Sequence, residues 1–198
     1  MFDQSVEPLI HFTRLLDEAK RRGEPEHNAM ALATAGADLK PSVRIVYFKG
    51  LIRGGLSFYT NYDSEKATNL AQNNWACANF YYPTRWEQIR VTGRAEKLTR
   101  AENEDYFKSR ARLSQLGAWA SQQSSKIPDR EFFQLKLEEF EKSFEGQDVP
   151  CPNNWGGYRI VPEEFEFWFG KDGRLHERFI YTRDARAEGG WQTSMKSP

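Results

Sequence analysis

The chain has 198 residues with 28 basic and 28 acidic side chains, so its formal net charge is +0. This balance argues against nucleic acid or an anionic membrane as the main partner, because both attract an excess of basic residues. Two cysteines, Cys77 and Cys151, are too few for a disulfide framework and suit a reducing compartment such as the cytoplasm. We expect one domain over residues 1–198, with no signal peptide and no transmembrane span.

The first half of the chain is predicted to form one helix followed by a series of strands. Apolar residues recur at helical spacing over residues 5–22, which predicts an amphipathic helix. Gly54 and Gly55 predict a turn between two of the strands. Ser64 is a predicted N-cap, and the first turn of the helix after it is a natural phosphate site. The strands are predicted over residues 28–35, 44–49, 56–60, 75–82 and 86–98, and the second helix over 64–73.

The second half is predicted to be helical first and extended afterwards. Thr99 and Glu102 have the spacing of a capping box, which predicts a helix to about Arg110. Further helices are predicted over residues 114–120 and from Pro128 onwards, and strands over 157–162, 164–169, 175–183 and from Trp191. Six or more strands with short connections and peripheral helices indicate an α+β fold built on an antiparallel barrel.

Two cations bracket the strand over residues 44–49. Because side chains alternate along a strand, Arg44 and Lys49 point to opposite faces if the strand is unbroken. They could then serve two different anions. The alternatives are that a bulge brings the two side chains together, or that both are solvated residues at the ends of the strand.

Tyr106, Arg110 and Ser114 are spaced four residues apart and would share one stripe of an unbroken helix. Together they offer a phenol, a guanidinium and a hydroxyl to an anion, although an ordinary helix surface is the alternative reading.

Arg174, His176 and Arg178 would share one face of a strand, with Leu175 and Glu177 on the other. Three potentially cationic groups on one face repel, so an anionic or electron-rich ligand would relieve them. A satisfied surface histidine remains the alternative for His176.

Several segments, in this order, resemble the pyridoxine (pyridoxamine) 5'-phosphate oxidase family. They are RIVYFK (residues 44–49), FYTN (58–61), SEK (64–66), YFKSR (106–110), SQLGAW (114–119), SQQSS (121–125), PNNWGG (152–157), EFW (166–168) and RLHER (174–178), together with Gln88. The resemblance implies a split β-barrel that binds flavin mononucleotide (FMN). It also implies a homodimer with the flavin sites at the subunit interface.

The resemblance assigns roles to individual residues. Arg174 and His176 are the expected catalytic residues, which also bind the substrate. The substrate phosphate is expected at Lys49, Tyr106, Arg110 and Ser114. FMN is expected at Arg44, Ile45, Val46, Tyr47, Phe48, Lys49, Tyr59, Thr60, Lys66, Gln88, Gln123, Ser124, Trp168 and Arg178. No metal is expected, because the histidines and cysteines lack metal-ligand spacing.

The implied activity is oxidation of pyridoxamine 5'-phosphate or pyridoxine 5'-phosphate to pyridoxal 5'-phosphate, with dioxygen as electron acceptor and hydrogen peroxide as by-product. A related flavin oxidase with another substrate, such as a phenazine precursor, is one alternative. A non-catalytic binder of FMN or pyridoxal phosphate is another.

Two positions depart from the family pattern. Glu65 stands where the family usually has a basic residue, and Met195 stands where it often has arginine. An acid beside a phosphate is repulsive unless it points away or pairs with a cation, so we expect that FMN still binds but more weakly. The alternative is that Glu65 is an ordinary acidic residue in a first helical turn.

Overall fold

The computed structural model describes residues 2–198 as one antiparallel sheet with helices around it. The strands are β1 (Ala29–Ala35), β2 (Pro41–Tyr47), β3 (Leu51–Ile52), β4 (Gly55–Asn61), β5 (Trp75–Tyr82), β6 (Glu87–Lys97), β7 (Trp155–Phe169), β8 (Glu177–Arg183) and β9 (Trp191–Met195). The helices are α1 (Pro8–Arg21), α2 (Glu65–Gln72), α3 (Arg100–Lys108), α4 (Arg112–Ala120) and α5 (Arg130–Ser143). The predicted capping box at Thr99 is confirmed at the start of α3.

The strands pair in the order β2-β1-β5-β6-β7-β4-β3, with β8 added to β7 and β9 added to β8. Each pairing is antiparallel. The two ends of this path, β2 and β3, are consecutive in the chain. In the segment that connects these two strands, the Phe48 amide donates to the carbonyl oxygen of Asn28, next to β1. The Lys49 amide donates to the carbonyl oxygen of Ser57 in β4. The sheet therefore curves round into the predicted barrel-like α+β architecture.

The core lies inside this curved sheet. Every second residue of β1, β5 and β6 is buried, as expected for strands with one face on a core. Helix α1 covers the core with Phe12, Leu15 and Ala19. A second buried cluster contains Phe107 and Trp155 and ties α3 and α4 to the start of β7. Trp155 of this second cluster also lines the cavity described below.

Strand β7 replaces the two strands predicted over residues 157–162 and 164–169. Its pairing with β6 shifts register between Thr92 and Gly93, which face Glu164 and Pro162, so Glu163 is the extra residue of a β-bulge. The bulge lets Pro162 lie inside a long strand. At Gly93 a Cβ atom would lie 2.0 Å from the Val161 carbonyl oxygen, so this close approach requires glycine.

The turn predicted at Gly54 and Gly55 is displaced by one residue. Arg53 (φ 48°) and Gly54 (φ 72°) both have positive φ, as a two-residue hairpin turn requires, and they connect β3 to β4. Gly55 instead belongs to β4, where a Cβ atom would lie 3.0 Å from the Ile160 carbonyl oxygen.

Candidate active site

A cavity of about 930 Å³ is lined by residues of β2, β4, α2, α3 and α4. Most of the residues singled out in the sequence line it: Arg44, Ile45, Val46, Tyr47, Lys49, Tyr59, Thr60, Lys66, Tyr106, Arg110, Ser114, Gln123 and Ser124. Sequence reasoning did not single out Ser42, Ser121 or Trp155 as ligand contacts, although they line it too. Phe48 does not line the cavity, because its ring is buried in the core against Phe12 and Phe80.

Lys66 is a buried cation whose hydrogen-bond partners are all neutral. Its Nζ donates to Thr60 Oγ1 (3.1 Å), Ser64 Oγ (3.2 Å) and Gln123 Oε1 (3.0 Å). Burial, reinforced by the charge of Arg44, lowers the pKa of Lys66 to about 8. Ser64 is at the N-cap position of α2, as predicted, but its hydroxyl serves Lys66 and makes no cap hydrogen bond. An anion bound here would gain a charge-assisted contact.

Arg44, in contrast, is largely satisfied by the protein itself. Its Nη1 donates to Leu32 O (3.2 Å), Thr34 Oγ1 (2.7 Å) and Ser42 O (3.2 Å), while Nη2 donates to Ser42 Oγ (2.6 Å). Glu65 Oε1 lies 3.7 Å from Nη2. Burial lowers the pKa of Arg44, and the charge of Glu65 opposes that shift. Glu65 therefore lies beside a cation that lines the cavity.

Arg110 is a second, half-buried cation in the same cavity. Its guanidinium lies 4.6 Å from the centre of the Trp155 ring and 5.5 Å from that of Phe107. Burial lowers its pKa, and its Nη1 is buried without a hydrogen-bond partner among residues 2–198. An unpaired buried donor is costly, so Arg110 is suited to receive an anion from the cavity.

The helical stripe predicted for Tyr106, Arg110 and Ser114 is wrong in its geometry. Helix α3 ends at Lys108 and α4 begins at Arg112, so the three residues do not share one helix. The break nevertheless leaves all three lining the cavity.

Tyr106 stacks on Tyr59 with ring centroids 3.8 Å apart, and Trp155 stacks with both rings. Burial raises the pKa of Tyr59 to about 12, which keeps its hydroxyl protonated as a hydrogen-bond donor.

The parity argument for Arg44 and Lys49 assumed an unbroken strand, but β2 ends at Tyr47. Both cations line the same cavity instead of opposite sides of a sheet. Lys49 is exposed, and its Nζ lies 5.3 Å from the centre of the Tyr47 ring.

A second group of predicted residues does not line the cavity. Gln88, Trp168 and Arg178 lie directly opposite one another on β6, β7 and β8 and so share one face of the sheet. His176 packs against Trp168, with ring centroids 4.6 Å apart, and its Nδ1 accepts a hydrogen bond from the Lys171 amide at 3.1 Å.

The predicted strand face of Arg174, His176 and Arg178 needs correction. Residues Asp172–Arg174 form a 3₁₀ turn with φ of 63° at Gly173 and 61° at Arg174, so β8 begins only at Glu177. Arg174 is exposed on that turn, and only Arg178 belongs to the strand. The charge of Arg178 is balanced by Glu166, whose Oε1 accepts from its Nε at 2.8 Å. A ligand is therefore not needed to relieve repulsion here.

Comparison with known proteins identifies the family. Residues 16–144 match the family model described as pyridoxamine 5'-phosphate oxidase. The chain belongs to the pyridoxamine 5'-phosphate oxidase family. Residues 155–198 match the pyridoxine 5'-phosphate oxidase C-terminal dimerisation region. A pyridoxine/pyridoxamine 5'-phosphate oxidase of Bdellovibrio bacteriovorus is 51% identical over 198 residues, which cover all of both chains. Membership confirms the resemblance seen in the sequence and the enzyme class, an FMN-dependent oxidoreductase.

Solved structures confirm the fold. PhzG from Burkholderia lata 383, in complex with tetrahydrophenazine-1-carboxylic acid, has a TM-score of 0.92 at 32% identity over 99% of this chain and 95% of its own. A pyridoxamine 5'-phosphate oxidase-related, FMN-binding protein from Nostoc punctiforme has a TM-score of 0.75 at 17% identity, covering 98% and 99%. Among residues 2–198, no helix is both long and apolar enough to cross a bilayer.

Proposed function

We propose that the protein oxidises pyridoxamine 5'-phosphate or pyridoxine 5'-phosphate to pyridoxal 5'-phosphate in the cytoplasm, with dioxygen as electron acceptor. The observation that carries this proposal is that two cations, the buried Lys66 and the half-buried Arg110, line one cavity. Neither has an acidic hydrogen-bond partner in the described part of the chain. Two phosphate-bearing molecules, a cofactor and a substrate, would satisfy one cation each.

The residues around Lys66 fit the phosphate of FMN. Lys66 supplies an unneutralised charge, and Thr60, Ser64 and Gln123 already hold its Nζ in place from three sides. Arg44 on β2 adds a second cation to the lining of the same cavity. Residues 44–47 and Lys49, with Tyr59 and Ser124, would line the rest of the cofactor. FMN supplies a two-electron acceptor when bound.

The residues around Arg110 fit the substrate phosphate. Its unpartnered Nη1 supplies a donor, and Tyr106, Ser114 and Lys49 add a phenol, a hydroxyl and an ammonium in the same cavity. Binding the phosphate at this fixed cluster holds the reacting carbon of the substrate in one position, which is a proximity contribution to catalysis.

His176 and Arg174 are proposed to orient the substrate ring. Because Nδ1 of His176 accepts a hydrogen bond from the Lys171 amide, the neutral ring carries its proton on Nε2. Nε2 can therefore donate to an oxygen of the substrate. In the net reaction the alcohol loses two electrons and two protons, which reach dioxygen as hydrogen peroxide. With the amine, water also adds and ammonia leaves.

We further propose that the protein acts as a homodimer and that His176, Arg174 and Trp168 complete the cavity of the partner copy. Three points support this. The C-terminal residues match a region described as a dimerisation region. Val43 and Ile45 on β2 are apolar yet 68% and 64% exposed at the cavity wall, as expected of residues covered by another chain. Finally, the catalytic residues do not line the cavity of their own chain.

The direct test measures oxygen consumption and pyridoxal 5'-phosphate release from purified protein loaded with FMN. Pyridoxamine 5'-phosphate and pyridoxine 5'-phosphate should react, whereas pyridoxamine and pyridoxine without phosphate should react far more slowly. Absence of turnover in fully flavinated protein would overturn the proposal.

The likeness to PhzG, at 32% identity over almost the whole chain, supports a second candidate: an oxidase of a reduced phenazine carboxylic acid. A panel of both substrate types at equal FMN loading separates the two. The 51% identity with the Bdellovibrio oxidase favours the vitamin B6 substrates.

A further inference from the structure

Glu65 is an acid in an otherwise cationic part of the cavity. It is the first residue of α2, and its side chain is 60% exposed. Its Oε1 accepts a hydrogen bond from Ser42 Oγ at 2.5 Å, and Ser42 Oγ in turn accepts from Arg44 Nη2 at 2.6 Å. The three side chains thus form a chain from the guanidinium to the carboxylate, with the ion pair itself at 3.7 Å.

This arrangement makes the two cations at this end of the cavity unequal. Arg44 already has four hydrogen bonds to oxygen atoms and an acid beside it. Lys66 has only neutral partners. At Lys66 an incoming phosphate meets no acid hydrogen-bonded to the cation, although the charge of Glu65 also acts on it. At Arg44 the phosphate meets a carboxylate that is already in place and carries the same sign.

We infer that Glu65 is an internal competitor for the cofactor phosphate at Arg44, and that it lowers the protein's discrimination between FMN and riboflavin. This inference rests on the proposed function of the cavity. Because Glu65 is more than half exposed, solvent weakens its repulsion, and its removal should tighten FMN binding by about 3- to 10-fold. Riboflavin lacks the phosphate, so its affinity should not change.

The test compares the dissociation constants of FMN and riboflavin for the apoprotein, measured by quenching of flavin fluorescence. Glu65→Gln removes the charge but keeps an oxygen that can accept the hydrogen bond from Ser42. Glu131→Gln is the matched control, since Glu131 is exposed in the first turn of α5 and does not line the cavity. Circular dichroism and thermal midpoints establish that each variant is folded.

The expected result is tighter FMN binding by Glu65→Gln alone, with riboflavin affinity equal in all three proteins. Unchanged FMN binding would overturn the inference, because Glu65 would then not compete with the phosphate. Weaker FMN binding would also overturn it, because Glu65 would then serve to order Arg44. A parallel change for riboflavin would also overturn it, because the carboxylate would then act on a part of the ligand that both molecules share. If wild-type apoprotein binds no FMN, the proposed function itself fails.

Discussion

Glu166 Oε1 lies 2.8 Å from Nε and 2.7 Å from Nη2 of Arg178, although the Glu166 side chain is only 1% exposed. Its other oxygen accepts a hydrogen bond from Arg90, and Lys196 Nζ lies 4.0 Å from it. One buried carboxylate of β7 therefore organises three cations: Arg90 of β6, Arg178 of β8 and Lys196, which follows β9. Trp168 and Gln88, the expected flavin contacts, are on the same face of the sheet as Glu166.

We predict that Glu166→Gln lowers the free energy of unfolding by ~1–3 kcal/mol. Removing one member of a buried ion pair leaves charges without their partner, but Arg90 and Arg178 are 34% and 26% exposed, so water compensates in part. Urea denaturation measures the change. Glu164→Gln, two residues away on the same strand, should shift stability by no more than ~0.5 kcal/mol. Equal stability of Glu166→Gln and wild type would show that the pair makes no net contribution.

Lys66→Met should weaken FMN binding by at least about tenfold, because the substitution removes a buried cation beside the expected phosphate whose hydrogen-bond partners are all neutral. Equilibrium titration of the apoprotein with FMN measures the effect. Lys136→Met, on the exposed side of α5, is the control and should bind FMN as wild type does. Wild-type affinity in Lys66→Met would exclude Lys66 as a phosphate ligand.

FMN affinity should also fall as the pH rises through about 8. Burial lowers the pKa of Lys66 in the free protein to about 8, so above that pH the free protein increasingly carries a neutral amine. Binding the phosphate must then restore the proton, which weakens association by up to about tenfold per pH unit. Titrations between pH 7 and 9.5 measure this slope. Lys66→Met should show no such slope, and an equal slope in that variant would assign the effect to another group.

Mixed dimers can test whether each site is shared between two chains. A dimer with Arg110→Met in one chain and His176→Ala in the other should keep about half of wild-type activity, since one cavity then has both residues intact. A dimer that pairs the Arg110→Met/His176→Ala double variant with wild type should be inactive, because each cavity lacks one of the two. Sites built within single chains would give the reverse result.

The parts of the fold that the sequence predicted well depend on local patterns. Alternation placed β5 at residues 75–82, where the structure has it, and the capping box at Thr99 starts α3 as expected. Helix α5 begins close to the predicted Pro128, but the sequence does not show which of its apolar residues are covered: Phe140 and Phe144 pack against the second cluster, whereas Leu135 is 58% exposed. Its apolar residues look alike in the sequence, and only the tertiary packing decides which of them are covered.

The candidate site was predicted residue by residue but not as an arrangement. Nothing local to Ser42 indicates that its hydroxyl bridges Arg44 to Glu65, because that contact joins β2 to α2. In the sequence Glu166 cannot be distinguished from any other outward-facing acid of an alternating strand, because the cations that contact it, Arg90 and Arg178, lie on neighbouring strands. Long-range contacts of this kind leave no signal in spacing.

The bulge at Glu163 has a consequence for how this family can change its length. In β7 the buried core residues before it are Tyr158 and Ile160, with even numbers, and those after it are Phe165 and Phe167, with odd numbers. Glu163 absorbs this change of phase, so deleting it would leave Phe165 and Phe167 in phase with Tyr158 and Ile160 and would keep Glu166 and Trp168 on the outer face. Natural relatives should therefore tolerate the loss of one residue at this point better than the loss of one residue elsewhere in β7.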